Sequence, residues 1–276
     1  MKSFDEIKDS IICKLSNTEN NQDILKDRPH ITMEDISASF AIVIGERKGE
    51  RASIPITNDM MKDMGVDVNT LMETAKSNMV EQDYSFKSMR DVLIDSMFPE
   101  GVPENDPMID FMLPPADGVQ MYVLTNNCNI NGACEVLNTK AMDEIADKLD
   151  GDFVVLPSSV HETIILPLDE NMNSQELNSM IKEINSSVLN LKDKLSDHVF
   201  QYDSEDHELV RMDKMQERQQ EKAESKEKSV KAAVKVDSPK KSLIDRISNK
   251  KEEAAKKEAS RPQPSKQNKR DAVALT

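Results

Sequence analysis

Tryptophan is absent, and seven Phe and three Tyr are the only aromatic residues among 276. Any core must therefore rest on Ile, Leu, Val and the 17 Met, whose flexible side chains fill irregular gaps. Glycine is nearly as scarce, with seven residues. Loops that cradle phosphate need glycine wherever the backbone approaches the ligand. No Walker loop, GxGxxG turn or HExxH helix occurs. The cysteines are Cys13, Cys128 and Cys134, an odd and sparse set that suits a reducing cytoplasm rather than a disulfide framework. Cys128 and Cys134 stand six positions apart with no histidine nearby, which does not suit a zinc site. No apolar run approaches the roughly 20 residues that span a bilayer. The N-terminal MKSFDEIKDSIICKL is acidic and amphipathic, unlike a signal peptide. These absences predict a cytoplasmic protein, a monomer or weak oligomer, with no cofactor, no metal and no membrane contact.

Charge is abundant, and it is unevenly spread. The chain holds 36 basic and 51 acidic residues, a net charge of −15. After Met212 there are 18 basic and 11 acidic residues, net +7. The preceding 212 residues hold 18 basic and 40 acidic, net −22. An acidic body repels nucleic acid, so any such contact belongs to the basic tail. The tail, 213–276, is rich in Lys, Glu, Ala, Ser and Gln and has no aromatic residue. Such a composition buries too little apolar surface to offset chain entropy, so disorder is expected. Within it, KKSLIDRISNKKEEAAKKE places Leu243, Ile244 and Ile247 on one helical face. So short a helix is marginal alone. It is either transient helix in a linker or a docking helix for a protein partner. SPKK at Ser238–Lys241 resembles minor-groove motifs, a weak pointer to DNA.

The body divides by pattern into an N-terminal α+β module (1–100), a proline-rich connector (101–119) and a C-terminal α+β module (120–212). Phe4, Ile7, Ile11 and Leu15 recur at helical spacing, which predicts an opening helix. SFAIVIGERKGERASIPI predicts two strands around a charged turn. TNDMMKDMG predicts a short helix ended by Gly65, DVNTLMETAKSNM a second, and SFKSMRDVLIDSMF another. VQMYVLT and GACEVLN read as strands around NNCNIN. TKAMDEIADKL reads as a helix capped by Asn138 or Thr139. DFVVLP and HETIILP are strands, NSQELNSMIKEINSSVL a helix opened by Asn173 and Glu176, and HVFQYD with HELVRM a final hairpin. Both halves share the order strand, turn, strand, Asn, helix, which suggests a duplicated module. The class is α+β, with helices covering mainly antiparallel sheets.

The chemistry-bearing stretch is LPSSVHE. Ser158, Ser159, His161 and Glu162 lie within five positions. As a hydrolase they would need a serine within reach of His161 and a third group to orient the ring. No GxSxG elbow exposes either serine. As structure, Pro157-Ser158-Ser159 makes a turn whose hydroxyls satisfy the backbone, and His161 and Glu162 begin the return strand. Leu156, Val160, Ile164 and Leu166 are then core contacts. Asn126, Asn127, Asn129 and Asn131 suit a left-handed turn. Pro29-His30 packs or caps at a module edge, and His198 and His207 flank the last hairpin, exposed.

Several blocks carry a family resemblance. In LSNTENNQDILKDRPHITMEDISASFAIVI the features are Asn17-Thr18, Asn21, Leu25, Asp27, Pro29-His30 and Asp35. With MYVLTNNCNINGACEVL, LPSSVHETIILP and LSDHVFQYD, the body resembles domain-of-unknown-function family 5688 from about Ile11 to Met212. GERKGERASIPI is less typical of that family. The resemblance implies a bacterial accessory protein, of mobile elements among others, and no established activity. Residues and resemblance together favour a non-catalytic interaction protein with an acidic body and a basic docking tail. The alternative is a hydrolase using Ser158, Ser159, His161 and Glu162.

Overall fold

The computed structural model describes residues 3–47, 50–101, 113, 120–157, 159–169, 171–188, 190–215, 217 and 218. Ser158, the tail residues Leu243, Ile244 and Ile247, and most of the connector lie outside the described residues. Met1–Arg218 form one compact unit.

The chain opens with α1 (Phe4–Ile7) and a single 3-10 turn, then enters β1 (Ile11–Asn17). The expected opening helix therefore stops after one turn. Ile11, Cys13 and Leu15 also satisfy a period of two, and β1 buries every second residue against the core. Pairing with a neighbouring strand overrides the helical spacing.

After α2 (Gln22–Leu25) come β2 (His30–Met33), β3 (Ile36–Arg47) and β4 (Glu50–Pro55). They form an antiparallel sheet in which β3 is central. β1 pairs along one edge of β3 through Ile11↔Ile42 to Asn17↔Ile36. β2 and β4 also pair with β3, β4 with a bulge between Val43 and Gly45. The hairpin predicted from SFAIVIGERKGERASIPI is thus present.

Two helices follow. α3 (Asn58–Met64) is capped by the Thr57 side chain and ends at left-handed Gly65, where only glycine avoids strain. α4 (Val68–Val80) is capped by Asp67 and buries Leu71, Met72, Ala75 and Met79. SFKSMRDVLIDSMF splits into β5 (Tyr84–Ser88) and α5 (Met89–Met97), with Ser88 as the cap that separates them.

The second sheet has six strands: β5, β6 (Tyr122–Asn126), β7 (Phe153–Leu156), β8 (Thr163–Pro167), β9 (Phe200–Asp203) and β10 (Glu208–Arg211). Their order is β10-β9-β7-β8-β6-β5, all antiparallel. α6 (Thr139–Leu149) starts at Asn138, whose side chain accepts the Ala141 N–H. α7 (Ser174–Val188) starts where Asn173 Oδ1 accepts the Gln175 N–H at 2.9 Å.

All four residues of β7 are buried. Phe153 and Val155 join the main core, which also takes in Ile11, Phe40, Leu71, Met142 and Ile165. Val154 and Leu156 face a smaller core with Leu166, Ile181 and Val199. The unbroken apolar run FVVL thus reflects burial on both faces of the sheet.

GACEVLN departs from the strand expected of it. It forms a 3-10 helix, Gly132–Leu137, where a strand was expected. Asn131 turns left-handed and sends the next six residues inward, all of them buried, so no alternating face exists for a sheet to use. The second half therefore does not repeat the first half's strand pair at this point.

Candidate functional site

Three loops meet at the end of the six-stranded sheet. The first is the asparagine turn after β6. Asn126 Oδ1 accepts the N–H groups of Cys128 (3.0 Å) and Ile130 (3.4 Å), and its Nδ2 donates to the Ile130 carbonyl at 2.9 Å. Asn129 and Asn131 both take φ of 53°, as expected of asparagines in such a turn.

The second loop joins β7 to β8 and carries Ser159, His161 and Glu162. Thr125 donates its hydroxyl to the His161 carbonyl at 2.8 Å, and the Ala133 N–H donates to the Val160 carbonyl at 3.2 Å. Gly132 is wedged between these segments. A Cβ there would sit 2.6 Å from both the Asn126 nitrogen and the His161 carbonyl oxygen. Absence of a side chain is what lets the loops close.

The third loop precedes β9. The Val160 N–H donates to the Asp193 carbonyl at 2.8 Å, and the Ser196 N–H to the Pro157 carbonyl at 2.9 Å. Ser159 forms an isolated bridge with Lys194. This loop also ties back to the four-stranded sheet. Asn17 Nδ2 donates to the Leu195 carbonyl at 3.1 Å, and Ser196 donates its hydroxyl to Asp35 at 2.8 Å.

The chemistry of LPSSVHE follows from these bonds. His161 Nδ1 accepts the backbone N–H of Asn131 at 3.2 Å. That lone pair is in use, which leaves the proton on Nε2, facing Asp193 at 3.7 Å. Ser159 is buried, and its Oγ accepts the His161 backbone N–H at 3.0 Å, a local serine turn. A histidine acting as base needs a free lone pair aimed at the nucleophile, and neither ring nitrogen offers one to Ser159. Glu162 points elsewhere. With Phe86, Val92, Thr125 and Ile164 it lines an open groove of about 940 Å³ between β5, α5 and β6. The structure therefore brings Ser159 and His161 together as a turn and separates Glu162 from them. Ser158 lies outside the described residues. Asp193 was not singled out in the sequence, and Asn131 was read only as a turn residue, because both are remote from the histidine along the chain.

A second polar site has no counterpart in the sequence reading. A cleft runs between the β3–β4 hairpin, the end of α4 and the asparagine turn. Its inner chamber, about 20 Å³, is lined by Lys14, Arg51, Ser53, Gln82, Asn131 and Glu135 among others. That is room for a single water. Its outer part, about 450 Å³, shares Ile12, Arg51, Gln82 and Asn126 and adds Asp9, Glu46, Glu81 and Asp83. The hairpin is held to the asparagine turn by Cys128 Sγ and Glu46 Oε1, 3.4 Å apart, while Arg51 Nε donates to the other Glu46 oxygen at 3.2 Å.

Electrostatics mark this cleft. Burial, reinforced by the charges of Arg28 and Arg51, pushes Lys14 below its ordinary value. Its Nζ donates to Ser53 Oγ at 2.8 Å. Glu135 is 3% exposed and accepts a bond from Asn138 Nδ2 at 3.0 Å. Burial raises its carboxyl, against the pull of Asn138 and Arg51. Perturbed acids and bases cluster at functional sites, though structural networks of charge produce them as well. Burial also pushes the nearby Cys13 thiol up to about 12 and raises Cys134, so neither is a ready nucleophile. One signal for Glu135 was readable, a lone charge inside the apolar run GACEVL.

Pro29 is buried, and the His30 ring contacts the Arg28 carbonyl at 2.8 Å, the edge role expected of that pair. His207 is exposed, as expected, while His198 is partly buried. Among the described residues no group of three His, Cys, Asp or Glu is placed to hold a metal, and no helix is long and apolar enough to cross a membrane.

The fold and its three-loop junction define an α+β protein whose recognisable sequence blocks converge in space. Residues 1–204 match the model of DUF5688, a family of unknown function, and the chain belongs to that family. No curated protein and no solved structure matches it.

Proposed function

We propose that this DUF5688 protein is a non-catalytic interaction protein of the bacterial cytoplasm, in which an acidic body presents a basic tail to a protein partner. The observation that carries this reading is the bonding of His161. Its Nδ1 accepts the Asn131 N–H, and the neighbouring Ser159 is buried in a turn. Ser159 and His161, the serine–histidine pair of LPSSVHE, thus spend their polar groups on joining loops. The tail supplies the docking element in Leu243, Ile244 and Ile247, set among 18 basic residues. Nucleic acid is the weaker partner, because the body of −22 repels it.

Affinity capture from the native cell tests this with three baits: the full chain, a chain ending at residue 218, and a full chain with Leu243, Ile244 and Ile247 all changed to Ser. A partner held by the first and lost by both others supports the reading. A partner held equally by the chain ending at 218 contradicts it.

A further inference from the structure

β5 ends the six-stranded sheet, and among the described residues β6 is its one strand neighbour. Its outer edge therefore presents backbone donors and acceptors. The Met89 N–H donates to the Met121 carbonyl at 2.8 Å, in the register that sets Ser88 opposite Tyr122. Alternation along an antiparallel pair then turns the backbone groups of Lys87 and Ser85 toward β6, and those of Phe86 and Tyr84 outward. An unguarded edge is a template for another strand. Other free edges carry guards. β4 ends at Pro55, which has no N–H, and its register with β3 breaks at a bulge. β10, the opposite edge of the same sheet, runs directly into a 3-10 turn, Met212–Lys214. β5 has no proline, glycine or bulge over Tyr84–Ser88. Its one charge, Lys87, is held by Asp95 at 2.9 Å.

The strand is also complementary to itself. Set antiparallel to its own copy about Phe86, it places Phe86 against Phe86, Tyr84 against Ser88 and Ser85 against Lys87. No two like charges meet, and the central pair is aromatic. Phe86 is half-buried and stacks on Tyr122 with ring centroids 4.8 Å apart. Beside this edge α5 carries Met89, Val92, Leu93, Ile94 and Met97, none of them buried, so apolar surface remains there for an interface to cover.

We propose that β5 pairs with β5 of a second copy of this chain, joining the two six-stranded sheets across a two-fold axis perpendicular to the sheet and beside Phe86. Both Phe86 rings then lie on the face that carries Lys148, and both α5 helices on the face where Lys87 meets Asp95. The body's charge of −22 opposes this union at long range, so salt tightens it. Association through the basic tail would instead loosen with salt. The pairing rests on the body's sheet, so failure of tail docking leaves it standing.

Sedimentation of the full chain from about 1 to about 200 μM, in salt from about 0.05 to about 0.5 M, tests this. A dimer with Kd on the order of 10 μM is expected, tighter at high salt. Two variants at half-buried Ser85 test the register at about 0.15 M salt. Ser85→Lys sets a lysine against Lys87 of the second copy, twice across the axis, and should weaken the dimer about fivefold or more. Ser85→Glu sets a carboxylate there and should hold the dimer at least as tightly as wild type, which keeps the test valid if Ser85→Lys fails to fold. Adding Lys87→Glu to Ser85→Lys should restore pairing. A monomer at every concentration overturns the proposal. So does a dimer that salt dissociates, one that Ser85→Lys leaves unchanged, or one that Ser85→Glu weakens.

Discussion

Asn17 Nδ2 donates to the carbonyl of Leu195 at 3.1 Å, joining residues 178 positions apart. Asn17 Oδ1 meanwhile accepts the Asn20 N–H at 3.0 Å. One buried amide thus closes a turn at the end of β1 and fastens the first sheet to the loop before β9. Asn17→Ala strands both partners, and unmet buried groups cost about 1–3 kcal/mol each. Urea unfolding should show a loss in that range or somewhat above it. A loss below about 0.5 kcal/mol would mean the two sheets do not depend on this link.

Gly132→Ala puts a methyl carbon 2.1 Å from Thr125 Oγ1 and 2.6 Å from two backbone atoms. Thr125 can rotate, but the backbone cannot step aside cheaply. The expected cost is about 3 kcal/mol, at the upper end for overpacking. Equal stability of Gly132→Ala and wild type would show that the loops do not close as described.

Asp143 gives a pH dependence with a definite sign. Burial opposes its charge, but the hydroxyl of Tyr202 at 2.5 Å and the ring of His207 at 2.7 Å outweigh it, and the carboxyl lies below its ordinary value. A carboxyl lowered in the folded state contributes stability above its unfolded value, about 3.9. That contribution disappears as pH falls through the lower folded value. Asp143→Asn should therefore be less stable than wild type at pH 7, with the gap closing on acidification below about pH 4. A gap independent of pH would contradict the assignment.

On β8, Ile165 is fully buried in the main core, while Ile164 packs only partly against the smaller one. Ile165→Ala should cost about 2–5 kcal/mol and Ile164→Ala about 1–2 kcal/mol. The reverse order in thermal unfolding would mean the strand faces are exchanged.

Much of this fold was legible. Thr57, Gly65, Asn138 and Asn173 punctuate helices by chemistry local to each position. Leu156, Val160 and Leu166 are buried as expected, and Ile164 is partly so. Misreadings arose where two periods fitted the same residues, as at Ile11 and Leu15, or where burial was continuous, as in Gly132–Leu137. The bond from the His161 N–H to Ser159 Oγ is local to LPSSVHE, but the other partners of the stretch, Asn131, Asp193 and Lys194, come from distant segments and leave no mark near it in the sequence. The cleft was not legible, because Lys14, Arg51 and Glu135 are brought together only when the β3–β4 hairpin meets the asparagine turn. No local pattern encodes that meeting.

His161 is the joint between the asparagine turn and the β7–β8 loop. Thermal unfolding of His161→Ala and His161→Asn, paired with an in-cell phenotype, tests that role most directly. His161→Ala strands the Asn131 N–H and should lose about 1–3 kcal/mol. His161→Asn places an oxygen close to where Nδ1 stands and should recover most of that stability, with the phenotype following stability in both variants. A His161→Ala protein as stable as wild type yet inactive in the cell would contradict the account and return the stretch to chemistry.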